Sequence, residues 1–573
     1  MIRKSLPVLF AVLCLPMNAL ASDVQLSVHG LKGKLEDNVD AYLSSIPESD
    51  YSTSLRFQSR IEQSIREALN ALGYYHPEIR FEISSDQDEL EVYVVKGAPV
   101  LIKSVDIELT GEAKNDIDFI KLVQNSGIKV GKRLNHGLYD ALKSNIRNLA
   151  LQKGYFEGDF KLSRLEVSPD LNEAFVRLHF DSGMRYEFGQ TIITGSQIEE
   201  SRVHSLEPYT LGEPYLVSKV GEYNQNLSNT DWFSSVFVEP DLSQLSISRE
   251  LPMKVSLAPQ ARNQLETGIG YSTDVGVRGS LKWKKPWVNS RGHSFDSSFS
   301  LSKPEQTITA SYRIPLEDVL NDYYRIQYGM KNQDSRDTKS LESNLALERH
   351  WLLDGGWHRT VFIRYLLENY EQGLQDDSAE FLLPGISYSR SRTRSGSGPM
   401  LMWGDRQSIT MEYGDPKLLS ETRVFRLQAG TTWIRSIGEN HRGIWRLDGG
   451  ANITDELEKL SPSLRFFAGG DNNLRGYSYE SISPRDSSGA LTGAKYITTT
   501  SLEYQYRVVG NWWGAVFYDV GDAYNNTPDW KRGTGVGIRW GSPVGPVRLD
   551  FAWGLDAPKG DEFQIHFTLG PEL

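Results

Sequence analysis

The sequence predicts an α+β tandem of three repeats followed by a 16-stranded antiparallel transmembrane β-barrel. Three observations carry that expectation. A unit of strand, helices and two further strands recurs with a period of roughly 80 residues up to about residue 262. From Leu265 onward, short segments alternate apolar and polar residues between glycine, asparagine and proline turns. Twelve of the 13 tryptophans lie at or beyond Trp283, where membrane interfaces would use a ring that is apolar in body and polar at one end. A chain of 573 residues, at about 150 per domain, accommodates three to four such units. With 24% charged residues, 11% aromatics and 50 glycines, it is neither a disordered tail nor a fibrous repeat. Mean hydropathy is −0.43, and no apolar run approaches the ~18 residues of a transmembrane helix. Barrel strands escape that test. The net charge of −12 leaves no basic surface to displace the counterions of a phosphate backbone, so nucleic acid is not expected as a partner.

Residues 1–21 read as an export leader: Arg3 and Lys4, then apolar Leu6 to Leu15, then Ala19-Leu20-Ala21 as a small-residue cleavage site. The single cysteine, Cys14, falls inside it, so the remainder can hold neither a disulfide nor a thiolate metal site. The three repeats are expected at residues 22–100, 101–184 and 185–262. A strand running into glycine opens each one, at Val24 to Gly30, Ile102 to Gly111 and Phe188 to Gly195. An amphipathic helix then ends in a turn bearing an aromatic: Gly73-Tyr74-Tyr75, Gly154-Tyr155-Phe156 and Asp231-Trp232-Phe233. Alternating strands such as Leu90 to Val95 close the unit, giving a small sheet with helices on one face. The exposed edge of such a sheet can accept an extended peptide as an added strand.

The barrel is expected over residues 263–573. Val547, Leu549, Phe551, Trp553 and Leu555 share one face and Arg548, Asp550 and Ala552 the other. Phe563, Ile565, Phe567 and Leu569 repeat the pattern against Gln564, His566 and Thr568, as lipid outside and water inside require. One long interruption, from about Thr454 to Lys495, contains Phe467-Ala468-Gly469-Gly470-Asp471-Asn472-Asn473-Leu474-Arg475-Gly476-Tyr477. Downstream stands Phe517-Tyr518-Asp519-Val520-Gly521. If Leu502, Tyr504 and Tyr506 face lipid, Glu503 faces the lumen, and Val516, Tyr518 and Val520 likewise turn Asp519 inward. A loop folded into the barrel could then place the Arg475 fork between the two carboxylates. Gly268 and Gly270 on the first barrel strand, and Phe567 and Leu569 running into Gly570-Pro571 on the last, predict a weak seam, because glycine offers no side chain to pack and proline no ladder donor.

The glycine-aromatic repeats resemble polypeptide-transport-associated (POTRA) domains. The loop, with its Gly469-Gly470 and Arg475-Gly476-Tyr477, and the Phe517-x-Asp519-x-Gly521 strand resemble the two signatures of the BamA/TamA-type superfamily of outer-membrane assembly factors and transporters. Within it the likeness is most extended to the TamA type, through three repeats, Trp283-Lys284-Lys285-Pro286-Trp287 and the barrel entry at Arg262 to Glu266. The resemblance implies an outer-membrane barrel with periplasmic POTRA domains, and a lateral gate at the seam that inserts or secretes unfolded β-barrel clients such as autotransporters. It also implies a TamB-like partner anchored in the inner membrane. A phospholipid conduit and a dedicated secretion pore are the alternatives. With no phosphate-binding loop, nucleophile elbow or His-Glu-x-x-His pair, no enzymatic activity, cofactor or metal is expected. Acidic Asp86 to Glu89 lacks the glycine and terminal glutamate of a calcium loop and reads as a solvated turn.

Overall fold

The computed structural model describes residues 24–85, 89–245, 248–394, 400–542 and 545–569. The expected leader, residues 86–88, and Gly570 with Pro571 lie outside the described residues. By their contacts, residues form two units: Met1–Gln190 with Tyr209–Lys219 and Pro240–Met253, and Thr191–Pro208 with Val220–Glu239 and Lys254–Leu573.

The first repeat shows why the sequence folds as it does. Helix Leu55–Ala71 begins at Ser54, whose hydroxyl accepts the Phe57 N–H, and buries Phe57, Ile61, Ile65, Ala68 and Leu69 along one stripe. Those side chains meet Leu90, Val92 and Val94, the inward set of strand Glu89–Val95. That strand is central. It runs parallel to Gln25–His29 on one side and antiparallel to Glu78–Ile83 on the other. The second repeat repeats the order with Leu101–Thr110, Glu173–Asp181 and Asp159–Ser168, and helix His136–Lys153 covers it. A third sheet holds Glu187–Thr194, Glu250–Pro259 and Phe233–Pro240 in the same order. The three sheets are POTRA-like.

The aromatic turns sit at junctions. The Gly73 carbonyl accepts the Val100 N–H at 2.8 Å, the Gly154 carbonyl the Tyr186 N–H at 2.9 Å, and the Trp232 carbonyl the Gln260 N–H at 2.9 Å. A turn carbonyl thus receives the amide of a following segment three times, from the positive-φ glycine in the first two repeats and from the residue after Asp231 in the third. The turn after each helix contains a residue of positive φ: 84° at Gly73, 83° at Gly154 and 60° at Asp231. Tyr74 is buried and its hydroxyl accepts from Arg133 Nη1. Tyr155 packs edge-on against Phe119. Trp232 donates Nε1–H to the Gly292 carbonyl at 3.1 Å, and Phe233 meets the Trp232 ring edge-on. Burial of Tyr215, against which Gly154 packs, pushes its phenol up to about 12.

Sixteen antiparallel strands, from Gln264–Ser272 to Phe563–Leu569, pair in sequence order and close into a barrel. Along the twelfth, Tyr496–Val509, Leu502, Tyr504 and Tyr506 are exposed while Ser501, Glu503 and Gln505 are buried. No helix among the described residues is long and apolar enough to cross a membrane. The interior is polar, with Glu368, Arg426, Arg442, Asn452 and Arg539 all buried. The segment between the eleventh strand, His441–Ile453, and the twelfth folds inward, burying Phe466, Ala468, Leu474 and Tyr477 in a small cluster of its own.

Gly154→Ala should destabilise the tandem more than Gly131→Ala. Both have φ near 80°, but a methyl at Gly154 would stand 2.7 Å from Tyr215 Cβ whereas Gly131 faces open space. The backbone term alone is about 1–2 kcal/mol, so thermal unfolding should separate the two variants, with Gly154→Ala the lower in Tm.

Candidate functional site

The inward loop is held by one guanidinium. Arg475, 2% exposed, donates Nε–H to Asp519 Oδ2 at 2.8 Å and Nη2–H to Asp519 Oδ1 at 2.9 Å, a two-pronged grip on one carboxylate. Its Nη1 donates to Glu503 Oε2 at 2.6 Å, Nη2 also reaches Ser501 Oγ, and its own backbone N–H donates to Asp519. The Phe517 ring lies beneath, with its centroid 3.5 Å from Cζ. Glu503 belongs to the twelfth strand, and Phe517 and Asp519 to the thirteenth, Trp512–Tyr524. The period-two pleat turns all three inward, and ladder pairing brings Glu503 opposite Phe517.

Sequence reasoning missed a second layer. Arg539 of the fourteenth strand, Lys531–Ser542, donates to Glu503 Oε1 at 3.0 Å and to Oδ1 of Asp550, in the fifteenth strand Gly545–Gly554, at 2.6 Å. Asp550 Oδ2 stands 3.5 Å from Arg475 Nη1. Each carboxylate therefore faces a cation, as buried charges require. The signal was present in the alternation, since Arg539 lies between outward Ile538 and Trp540.

Glycines let the loop backbone lie flat on the wall. A Cβ at Gly533 would stand 1.9 Å from the Arg475 carbonyl oxygen, and one at Gly554 would stand 2.6 Å from that of Gly476. Gly476 has φ 89°, and its own Cβ would meet the Gly554 nitrogen at 2.6 Å, so both surfaces must be bare. Tyr477 anchors the next position by donating O–H to the Arg532 carbonyl and accepting the Asp556 N–H. Gly469 and Gly470 have φ near 110°, and a Cβ at Gly469 would meet the Ser478 carbonyl oxygen at 2.3 Å. Gly521 lets the thirteenth strand approach Thr499 closely.

The seam lies between the first and last strands. Gln264–Ser272 pairs along its whole length with the second strand, Gly276–Lys285. Across the seam the described residues form one ladder pair, Ser272 with Thr568. Gly268 and Gly270 therefore have their described partners on the second strand only, at Ser280 and Arg278. Beyond the ladder pair, Thr273 N–H donates to the Phe567 carbonyl at 3.3 Å, Phe567 N–H donates to Thr273 Oγ1, and the Tyr271 and Phe567 rings lie 5.9 Å apart. Leu569 is exposed on the outer face. A second polar cluster that the sequence did not reveal joins the loop to both strands at this point: Asp471 with Thr273, Asp274, His566 and Thr568.

A closed sixteen-stranded barrel with an inward loop, following POTRA-like sheets, defines an outer-membrane protein whose repeats lie in the periplasm. The chain belongs to the Omp85 superfamily, whose domain model matches residues 261–572. Its first repeat, residues 25–96, matches the model described as POTRA domain TamA domain 1. The outer membrane protein assembly factor BamA of Nitratidesulfovibrio vulgaris is 24% identical over 379 residues, covering 62% of this chain and 46% of that protein. The chain thus spans about half the length of this relative. The crystal structure of BamA from Haemophilus ducreyi lacking POTRA domains 1–3 has a TM-score of 0.69 at 15% identity, over 82% of this chain and 99% of that one. CdiB from Acinetobacter baumannii gives a TM-score of 0.44 at 14% identity, over 94% and 99%.

Arg475→Ala should release the loop, because removing one member of a buried charge cluster costs about 3–5 kcal/mol. Gly533→Ala should do the same with every charge intact, by pushing the Arg475 carbonyl off the wall. Limited proteolysis of the loop in outer-membrane preparations should show faster cleavage in both variants than in the unaltered protein, and Arg475→Lys, which cannot make the forked contact, should fall between.

Proposed function

We propose that this protein inserts or secretes unfolded β-barrel clients at the outer membrane, admitting them at the junction of its first and last strands, with a TamB-like periplasm-spanning partner at its POTRA end. The observation that carries the reading is the single ladder pair at that junction among the described residues. In hydrocarbon, an unpaired strand edge has no water to satisfy it, so a client strand arriving there gains every bond the edge lacks. The superfamily membership and the assembly-factor relative support the same reading. In it, the edges of the POTRA sheets receive extended client or partner segments by strand addition. Residues 22–100, 101–184 and 185–262 serve as the three periplasmic modules, and 263–573 as the barrel. The Arg475 cluster fixes the loop against strands twelve to fifteen, beside that junction.

The test is a covalent lock. Cysteines at Tyr271 and Leu569, which flank the Ser272–Thr568 pair on the outer face, should form a disulfide on oxidation and stop client assembly, with recovery on reduction. The only native cysteine, Cys14, lies in the expected leader. Assembly at full rate through a locked barrel would refute the reading.

A further inference from the structure

We propose that Asp471 is the catch of the seam, a positioning residue in the inward loop whose single carboxylate holds the first and last barrel strands together. The inference rests on the reading of the seam as the client passage and names what governs its opening. The geometry is convergent. Asp471 Oδ1 accepts from Thr273 Oγ1 at 3.1 Å, at the end of the first strand, and faces His566 Nδ1 of the last strand at 2.5 Å. Its Oδ2 accepts from Thr568 Oγ1 at 3.2 Å, again on the last strand. Its backbone N–H donates to Asp274 Oδ2 at 3.0 Å in the turn after the first strand. One residue 6% exposed therefore bonds both sides of a junction that has a single described ladder pair.

The neighbouring contacts make the catch part of the loop's docking. Gly476 N–H donates to His566 Nε2 at 3.1 Å. With Nε2 accepting, Nδ1 carries the proton and donates to Asp471, so the ring bridges the Arg475-Gly476 segment and the catch. Asp274, Asp471 and His566 place three ligand atoms within 4.8 Å of one another. Both ring nitrogens are nevertheless committed to protein partners, which favours a hydrogen-bonded clasp over a cation site.

The clasp contains a titratable pair. Burial, and then the Asp471 charge, push the Asp274 carboxyl up to about 7. The other charged or titratable groups around Asp274 are His566, Tyr479, Arg336, Arg278 and Glu305, which line two small cavities beside it. A raised carboxyl pKa means that closure is favoured while Asp274 is protonated and loses that advantage as pH rises through about 7. Seam opening should therefore increase as pH rises from about 4 to about 7 and level off above that.

Disulfide formation between cysteines at Tyr271 and Leu569, in the full chain in outer-membrane vesicles, reports closure. A pair at Phe551 and Ile565, across the fully laddered fifteenth and sixteenth strands, is the control. Asp471→Ala should slow the seam crosslink about tenfold, the value of a lost hydrogen bond to a charged group, and leave the control pair unchanged. Asp274→Asn, which stays neutral at every pH, should flatten the pH dependence of the seam crosslink. Thr568→Val removes one arm of the clasp and gives the same reading more mildly if Asp471→Ala does not assemble. Seam crosslinking unchanged in Asp471→Ala, or in Thr568→Val where only that variant assembles, would overturn the proposal. So would a pH dependence that survives Asp274→Asn. Loss of closure in the Asp471 variant while a locked seam still assembles clients would uphold the catch and sink the passage reading instead.

Discussion

Every backbone N–H and C=O in a bilayer must find a partner within the protein, and the architecture of this barrel follows from that requirement. Fifteen junctions between consecutive strands meet it by ladder pairing. The sixteenth, where the chain's two barrel ends come together, meets it among the described residues with one ladder pair and side-chain bonds to Thr273. Among the described residues the junction is thus held largely by side chains, and side chains can be released without unravelling a ladder.

The inward loop supplies the holding groups, and its own position is set by charge. A guanidinium in a polar but crowded interior cannot stay without compensating carboxylates, and the carboxylates cannot stay without cations. Arg475, Arg539, Glu503, Asp519 and Asp550 satisfy one another across strands twelve to fifteen. Such a cluster contributes little net stability compared with apolar packing, but displacing any one member costs about 3–5 kcal/mol. That property suits a loop whose other end must reach the seam with ångström accuracy. The bare wall at Gly533 and Gly554 serves the same end by removing everything except the backbone from the contact.

Much of this was legible because it is periodic. Glycine-aromatic turns recurring every roughly 80 residues announced the repeats, and alternation fixed which face of each barrel strand looks inward, hence where Glu503 and Asp519 point. The structure added what those turns do: the Gly73, Gly154 and Trp232 carbonyls each receive the amide of a following segment. What the sequence hid was long-range. Arg539 and Asp550 become partners only through the ladder of strands fourteen and fifteen. Asp471 meets Thr273 across 198 positions and His566 across 95. Each is unremarkable in its own segment, and no local pattern links an aspartate in a glycine-rich loop to a threonine in a distant turn. Gly533 and Gly554 were equally silent, because a strand glycine reads as a weakness until the surface it accommodates is known.

Among the described residues the catch stands at one end of the seam, and the position matters. The first barrel strand leaves the third repeat at Gln264 and reaches the Asp471 cluster at Ser272, so the held end is the one remote in sequence from the periplasmic domains. Gly268 lies at the middle of the strand and Gly270 two residues from Ser272, and their missing side chains leave that stretch of the edge little encumbered. Under the proposed function, a client delivered from the periplasm would meet the Gln264 end of the edge first. Strand pairing that begins there can lengthen residue by residue, each new ladder bond offsetting the exposure of the next, until it reaches the clasp. Opening then requires one concerted event, the exchange of Asp471's bonds, in place of the simultaneous rupture of a whole ladder. A junction closed by regular pairing could not be opened so gradually, because its bonds would have to be lost before the client's were made.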